Sequence, residues 1–241
     1  MVSNPLLTCL AAGWFPLHNV EIRNNAWKLR GTEGMMMQWL AMLTMLVDHV
    51  GLVFYPGEEI WRMIGRIAFP LYVYALVLGY GRTSSKRRYF IRLGVIALVS
   101  QIPYQLSLNP EGLNVVVTLL AGGLVLYVME KVDPAASILI AVIAAVLMEA
   151  LNFDYGSYGL LLILIFRYAE GQMLAAWHLL LNVVFWYLYG WEIQMWSVLP
   201  TFLIVYGPAV WKEIEKVRVP SWVWRSFYPV HMIILAIVQR L

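Results

Sequence analysis

The sequence predicts an all-α membrane protein, a polytopic bundle in which about nine helices cross the lipid bilayer. Of its 241 residues, 61% are apolar and only 13% are charged, and the mean hydropathy is +0.71. Soluble domains carry about 25% charged residues. The 11 tryptophans are typical of anchors at the two membrane interfaces. These three observations exclude an ordinary soluble domain.

Residues 1–34 precede the first predicted span, and we expect them to form an interfacial or re-entrant segment. The run "LLTCLAAGWF" is short, is broken by Gly13 and bounded by Pro5 and Pro16, and has no basic start, which argues against a cleaved signal peptide. Cys9 is the single cysteine, so an intramolecular disulfide and a CxxC metal site are excluded. Residues 35–241 are expected to form one transmembrane domain.

The apolar runs that follow are separated by glycine, proline or charged clusters. A helix needs about 20 apolar residues to cross the hydrocarbon core. On that basis the predicted spans are Met35–Tyr55, Trp61–Tyr80, Tyr89–Leu106, Leu113–Glu130, Pro134–Leu151, Tyr155–Tyr168, Met173–Tyr189, Ile193–Trp211 and Trp224–Leu241. An eight-span arrangement that merges middle segments is the alternative. No internal repeat supports a transporter built from an inverted duplication.

The basic residues predict the orientation of this bundle, because cytoplasmic loops are enriched in Lys and Arg. With the N-terminus in the cytoplasm, only Arg62, Arg66 and Arg240 of the 17 basic residues fall outside. The cytoplasmic set is Arg23, Lys28, Arg30, Arg82, Lys86, Arg87, Arg88, Arg92, Lys131, Arg167, Lys212, Lys216, Arg218 and Arg225. We therefore expect a cytoplasmic N-terminus and an external C-terminus.

Polar side chains recur at one predicted depth, in the outer half of the bundle. Asp48 should lie about 10 Å below the outer end of its helix, and Arg66 about 7–8 Å deep. The layer consists of Asp48, His49, Arg66, Gln101, Asn114, Glu149 and Asp154. A carboxylate at such depth costs about 2.5–3.5 kcal/mol, so these residues should face the bundle interior and mark a functional site.

Structural explanations compete with this interpretation. Asp48 and Arg66 could simply tie two helices together, Glu149 could be a charge at a helix end, and Asn114 a helix cap. His231 and His178 are placed in the inner half, and His178 is expected to pack against a neighbouring helix. Pro70 and Pro229 should free the carbonyl groups four residues earlier and kink their helices.

The loop "GYGRTSSKRRYFIR" carries five basic residues on the predicted cytoplasmic side, namely Arg82, Lys86, Arg87, Arg88 and Arg92. The loop could be a topology anchor alone or a site for a polyanionic cofactor. The sequence has no Walker A motif and no Rossmann fingerprint, which argues against nucleotide hydrolysis and nicotinamide chemistry.

Several of these motifs together resemble the TraX family over Trp39 to Leu241. The motifs, in family order, are "LAMLTMLVDHVGLVFYP", "GRIAFPLYVYALVLGYGRT", "YFIRLGVIALVSQIPYQL", "LNVVVTLLAGGLVLYVME", "FDYGSYGLLLILIFRY" and "FYPVHMIILAIV". The resemblance implies a multi-pass protein of the bacterial inner membrane, similar to the enzyme associated with N-terminal acetylation of F-type pilin. It further implies that an acetyl group passes from cytosolic acetyl-CoA to an acceptor across the membrane.

The polar residues suit that chemistry, which needs a base for the acceptor's proton and positive charge near the developing oxyanion. We expect His49 to act as the base, Asp48 to orient it, and Arg66 to stabilise the oxyanion. Residues expected to line the paths of acceptor and thioester are Asp154, Tyr155, Gln101, Asn114, Tyr228 and His231. The basic loop would hold the phosphates of coenzyme A.

The sequence leaves other functions open. The acceptor could be a peptide, an amino sugar or a small molecule, and transfer to a hydroxyl is an alternative to transfer to an amine. Buried Asp, His and Arg residues also form proton relays, so a proton-coupled transporter is a second class, and a membrane scaffold a third. We expect membrane lipids around the bundle, no metal and no nucleic-acid partner.

Overall fold

The computed structural model describes residues 36–108, 111–207 and 219–240. The predicted segment 1–34 and the basic residues Arg23, Lys28, Arg30, Lys212, Lys216 and Arg218 lie outside these ranges. Most residues in the described ranges are helical and none belongs to a strand, although Leu113 and Phe153 make an isolated parallel bridge. The predicted all-α class is confirmed.

The helices occur where the apolar runs predict them. Their bounds are α1 Met36–Phe54, α2 Glu59–Gly65, α3 Ala68–Arg82, α4 Lys86–Ser107, α5 Val115–Met129, α6 Pro134–Ala150, α7 Gly156–Tyr168, α8 Gly171–Tyr189, a 3₁₀ helix Glu192–Ser197, α9 Val198–Tyr206 and α10 Ser221–Val238. Each predicted span therefore corresponds to one helix or to two consecutive helical pieces.

Four helical stretches in the described part of the chain are long and apolar enough to cross a membrane. They are Met37–Phe54, Glu59–Arg82, Gly171–Tyr189 and Ser221–Val238. Helices α5, α6 and α7 are apolar but shorter. A helix of 15 residues is only about 22 Å long, less than the roughly 30 Å of a hydrocarbon core. Length and composition thus identify a membrane protein and support four of the nine predicted spans directly.

Proline explains where two predicted spans are divided. The second span is interrupted at Arg66 and Ile67, four residues or fewer before Pro70, whose ring nitrogen cannot donate to the Arg66 carbonyl. The eighth begins as the 3₁₀ helix and becomes α-helical at Val198, with Pro200 in the first turn. In contrast, α10 continues through Pro229.

Helix α3 forms the centre of the bundle. It packs against α1, α5, α7 and α9, and most of its residues are buried. At one side, α10 packs against α4 and α1. Helix α6 is peripheral, since Met148 is its one buried residue while Ile138, Val142 and Val146 are exposed. An apolar face of this kind is suited to contact with lipid.

Candidate active site

A cavity of ≈ 790 Å³ lies at the end of the bundle where α1 ends and α2 begins. Its walls come from α1, α2 and α3, from the loop between α6 and α7, and from the 3₁₀ helix that follows α8. The predicted site residues that line it are Asp48, His49, Arg66, Asp154 and Tyr155. The structure therefore brings together five residues from three separate parts of the sequence.

The Asp48 carboxylate lies between two guanidinium groups. Arg62 Nη1 is 2.8 Å from Asp48 Oδ2, and Arg66 Nη2 is 3.6 Å from Asp48 Oδ1. All three side chains are mostly buried, with 11% of Asp48, 29% of Arg62 and 13% of Arg66 exposed. Two cations against one anion leave this cluster of three side chains with net positive charge.

Arg66 is held in place by two further contacts. Its Nη1 donates to the Tyr155 hydroxyl at 3.2 Å and to Gln194 Oε1 at 3.1 Å. The Tyr155 ring in turn stacks on Phe69, with ring centroids 3.9 Å apart. Gln194 is 2% exposed and comes from the 3₁₀ helix. Contacts from α1, the loop before α7 and the 3₁₀ helix thus fix the direction of this guanidinium group, which a charge-stabilising role requires.

The hydrogen bond of the His49 ring is made with another histidine and not with its neighbour Asp48. His49 Nδ1 lies 2.8 Å from His231 Nε2, and His231 Nδ1 lies 2.7 Å from the Phe227 carbonyl oxygen. The two imidazole rings lie edge to edge and nearly in one plane, with an interplanar angle of 15° and centroids 5.1 Å apart. The structure therefore pairs the His49 ring with His231 and not with Asp48, its predicted partner.

This contact also corrects the predicted depth of His231. Counting residues from the end of its helix predicts His231 in the inner half, away from His49. In the structure α10 packs against α1 at a level that brings both histidines together. His231 does not line the cavity, and Tyr228 lies beside both histidines with its ring 6.3 Å from His49. His231 and Tyr228 therefore contact His49 without lining the cavity themselves.

The loop between α6 and α7 presents Asp154 and Tyr155 to the cavity. Tyr155 has φ of 62° and Asn152 has φ of 53°, a region that non-glycine residues rarely occupy. The Asp154 backbone N–H donates to the Leu113 carbonyl at 2.9 Å, and the Thr118 hydroxyl donates to the Asp154 carbonyl. The start of α5 therefore holds this unusual loop conformation.

Asp154 belongs to an acidic rim. The carboxylates that line the cavity in addition to Asp48 are Glu59, Glu149, Asp154 and Glu192. Burial raises the pKa of Asp154 to about 6, although the positive charge of Arg66 opposes this rise. Glu149 also accepts a hydrogen bond from the Ser157 backbone N–H at 2.8 Å, as a charge at a helix N-terminus is expected to do. The rim is suited to a cationic group.

Gln101 and Asn114 lie outside the predicted acceptor path, and Asn114 forms the helix cap that was its alternative prediction. Neither lines the cavity. Asn114 Oδ1 accepts from the backbone N–H groups of Val116 and Val117 and caps α5, while its Nδ2 donates to the Ala97 carbonyl. Gln101 Nε2 donates to the Gly112 carbonyl at 2.8 Å, and Asn114 Nδ2 donates to Gln101 Oε1 at 2.7 Å. Together they fasten α4 to α5.

The basic loop lies at the opposite end of α3 from the cavity. None of Arg82, Lys86, Arg87, Arg88 and Arg92 lines the cavity. Most of α3 separates Arg66 from Arg82, about 24 Å at 1.5 Å per residue. Lys86 donates to the Tyr80 carbonyl, whereas the other four residues are exposed. The structure therefore does not join these residues to the predicted catalytic group.

Two residues of the site were not predicted. Arg62 was counted only as an external charge, although its position four residues before Arg66 on one helix face could have indicated it. No sequence pattern could have indicated Gln194, because its contact with Arg66 joins residues 128 positions apart in the sequence. His178 does pack as expected, with Nδ1 2.7 Å from Thr201 Oγ1, in a buried network with Tyr158, Asn182 and Ser197.

Comparison with known proteins gives a family match over most of the chain. A family model described as TraX protein matches residues 33–239. A curated relative, the Uncharacterized protein RP591 of Rickettsia prowazekii (strain Madrid E), is 39% identical over 61 residues. That similarity spans 25% of this chain and 24% of the relative. No solved structure is significantly similar to the chain.

Proposed function

The chain belongs to the TraX family, and on that premise we propose that it is an integral membrane acetyltransferase. It transfers an acetyl group from cytosolic acetyl-CoA to an amine, such as a peptide or pilin N-terminus, presented at the outer side of the bacterial inner membrane. The observation that carries the proposal is the placement of His49 in a cavity whose wall also contains the guanidinium groups of Arg62 and Arg66. A base and a positive charge in one cavity are what acyl transfer needs.

The reaction assigns a task to each group. The acceptor ammonium first loses one proton to solvent. Its neutral nitrogen then attacks the thioester carbonyl, and His49 takes the second proton that this nitrogen loses. A C–N bond forms, the C–S bond breaks, and the departing thiolate of coenzyme A takes the proton back from His49. Arg66 stabilises the negative charge on the carbonyl oxygen in between, because Tyr155, Gln194 and Asp48 already hold its guanidinium in place.

The charges at the cavity favour an amine as the acceptor. Glu59, Glu149, Asp154 and Glu192 line the cavity and attract an ammonium group as it arrives. The same four carboxylates repel the phosphates of coenzyme A. The donor therefore approaches from the end of the bundle that carries Arg87 and Arg88, with its thioester reaching toward His49. A neutral hydroxyl acceptor would gain nothing from this rim.

The test uses the full chain reconstituted in vesicles whose orientation has been determined. Acetyl-CoA carrying a labelled acetyl group is supplied on the side of the basic loop, and a peptide with a free N-terminus on the other side. The peptide should gain the label and one acetyl mass at its N-terminus. An N-terminally blocked peptide of the same sequence is the matched control. Vesicles that release label only as free acetate, or that label neither peptide, contradict the proposal.

A further inference from the structure

The hydrogen bonds of His231 determine which of its ring nitrogens carries hydrogen. A carbonyl oxygen can only accept, so the 2.7 Å contact between His231 Nδ1 and the Phe227 carbonyl requires a proton on Nδ1. In the neutral ring the other nitrogen, Nε2, then has no hydrogen and acts as an acceptor. The backbone of α10 therefore selects one tautomer of His231.

The tautomer of His231 determines the tautomer of His49. Because His231 Nε2 is an acceptor, His49 Nδ1, at 2.8 Å, must donate to it. A neutral His49 that carries its hydrogen on Nδ1 has a free lone pair on Nε2. His49 lines the cavity and His231 does not. We propose that His231 is a positioning residue that locks His49 as the Nδ1–H tautomer, so that Nε2 is the basic atom offered to substrate.

The packing around the pair supports a positioning role. The His231 ring stacks on the Phe227 ring, with centroids 4.6 Å apart, and meets the His49 ring edge to edge through the nitrogen–nitrogen contact. Tyr228 meets both imidazoles at their edges. His231 is 5% exposed, and these contacts leave it little room to rotate. Asp48 cannot replace it, because the Asp48 carboxylate is already paired with Arg62 and Arg66.

The catalytic consequence rests on the proposed function, whereas the tautomer does not. The first test is therefore ¹⁵N NMR of the wild-type protein labelled at histidine, in detergent micelles, with the His49 resonances assigned by their loss in His49→Gln. We expect Nδ1 of His49 to show the shift of a protonated ring nitrogen and Nε2 that of an unprotonated one. The reverse assignment overturns the proposal even if no acetyl transfer has been measured.

The second test compares two substitutions of His231. Glutamine can imitate the lock, since its amide oxygen can accept from His49 Nδ1 and its amide nitrogen can donate to the Phe227 carbonyl. Leucine can do neither. His231→Leu should lower kcat by about 10–100-fold, part of what a positioned base contributes, and leave both KM values near wild type. His231→Gln should stay within several-fold of wild type.

A double variant separates positioning from general damage. If His231 acts only through His49, His231→Leu should lower activity no further in a His49→Gln background, since residues that act as a unit are not additive. An additional loss of the full 10–100-fold in that background overturns the proposal. A His231→Gln enzyme that is as slow as His231→Leu also overturns the proposal. The hydrogen bonds of His231 would then not be what maintains activity.

Discussion

Gly65 of α2 lies directly against Asp48 of α1. A Cβ atom added at Gly65 would come within 2.0 Å of Asp48 Oδ1 and 2.3 Å of Asp48 Cβ. One turn further, a Cβ at Gly51 would meet Trp61 Cβ at 2.1 Å. The absence of side chains at these two glycines lets α1 and α2 approach closely enough for Arg62 to reach Asp48 at 2.8 Å.

Gly65→Ala should therefore disrupt the ion pair between Arg62 and Asp48. The added methyl group has to displace the Asp48 side chain or separate α1 from α2, and overpacking of this kind costs about 1–3 kcal/mol. We expect a lower unfolding temperature in detergent and a loss of acetyl transfer. Gly81→Ala is the matched control, because nothing lies within 4 Å of a Cβ at that position. Equal stability of the two variants would show that the contact is not tight.

His49→Gln tests the proposed base. Glutamine has a similar volume and can still form a hydrogen bond with His231, but it cannot take a proton from the acceptor. Turnover should fall by about 10²–10⁴-fold, the usual contribution of a positioned base. Acetyl-CoA binding and the unfolding temperature should stay close to wild type. Turnover within a few-fold of wild type would leave His49 as a packed core histidine.

The sequence could predict the helices and part of the site for one physical reason. Lipid offers no partner to backbone groups or charges, so apolar runs must be helical and a charge within them must face the interior. That reasoning identified Asp48, His49 and Arg66 correctly as neighbours of a single cavity. It also predicted a kink at Pro70, where the structure interrupts the helix at Arg66 and Ile67, because proline lacks the donor that would bond the Arg66 carbonyl.

The partners of these residues could not be predicted in the same way. Counting residues from a helix end gives depth only if every helix starts at the same level, and the sequence does not encode how α10 shifts along α1. For this reason His231 was predicted far from His49. Gln101 was read as an acceptor site because its depth matched Asp48, although its amide bonds the loop before α5. Depth alone does not show which way a side chain points.

If the basic loop binds the phosphates of acetyl-CoA, that binding should weaken at high salt. Arg87 and Arg88 are exposed, and charge-assisted hydrogen bonds to phosphates are weakened by salt. Replacing both with Gln should raise KM for acetyl-CoA and leave KM for the acceptor nearly unchanged, and high salt should reduce this difference. Membrane insertion must be verified for the variant. An unchanged KM for acetyl-CoA would leave the loop as a topology anchor only.

The proposed orientation has a direct test by cysteine labelling. In a Cys9→Ser background, Glu111→Cys should react with a membrane-impermeant thiol reagent applied outside intact cells, because it lies between α4 and α5 on the side of the cavity. Ser84→Cys, in the basic loop, should react only after the cells are opened. Both positions are exposed, so a difference in labelling reports sidedness and not burial. The opposite pattern would reverse the assigned donor and acceptor sides.

Asp154 should make acceptor binding depend on pH. Its pKa is raised to about 6 by burial, so the carboxyl is ionised and attracts an ammonium group above that pH but is protonated below it. The affinity for a cationic acceptor should therefore fall as pH drops through about 6. An ordinary amine would titrate as well. A peptide whose N-terminus carries a permanent trimethylammonium charge avoids this complication and can be measured as a competitive inhibitor.

For the wild-type protein, the inhibition constant of that peptide should rise below the pKa of Asp154, approaching tenfold per pH unit. Asp154→Asn should bind the inhibitor more weakly at neutral pH and show a flat profile across the same window, because the group that titrates has been removed. Arg66 faces Asp154 and stays charged throughout, so it cannot produce the step. If Asp154→Asn keeps the wild-type profile, the ammonium is held by another carboxylate of the rim, and the single variants Glu59→Gln, Glu149→Gln and Glu192→Gln identify which one.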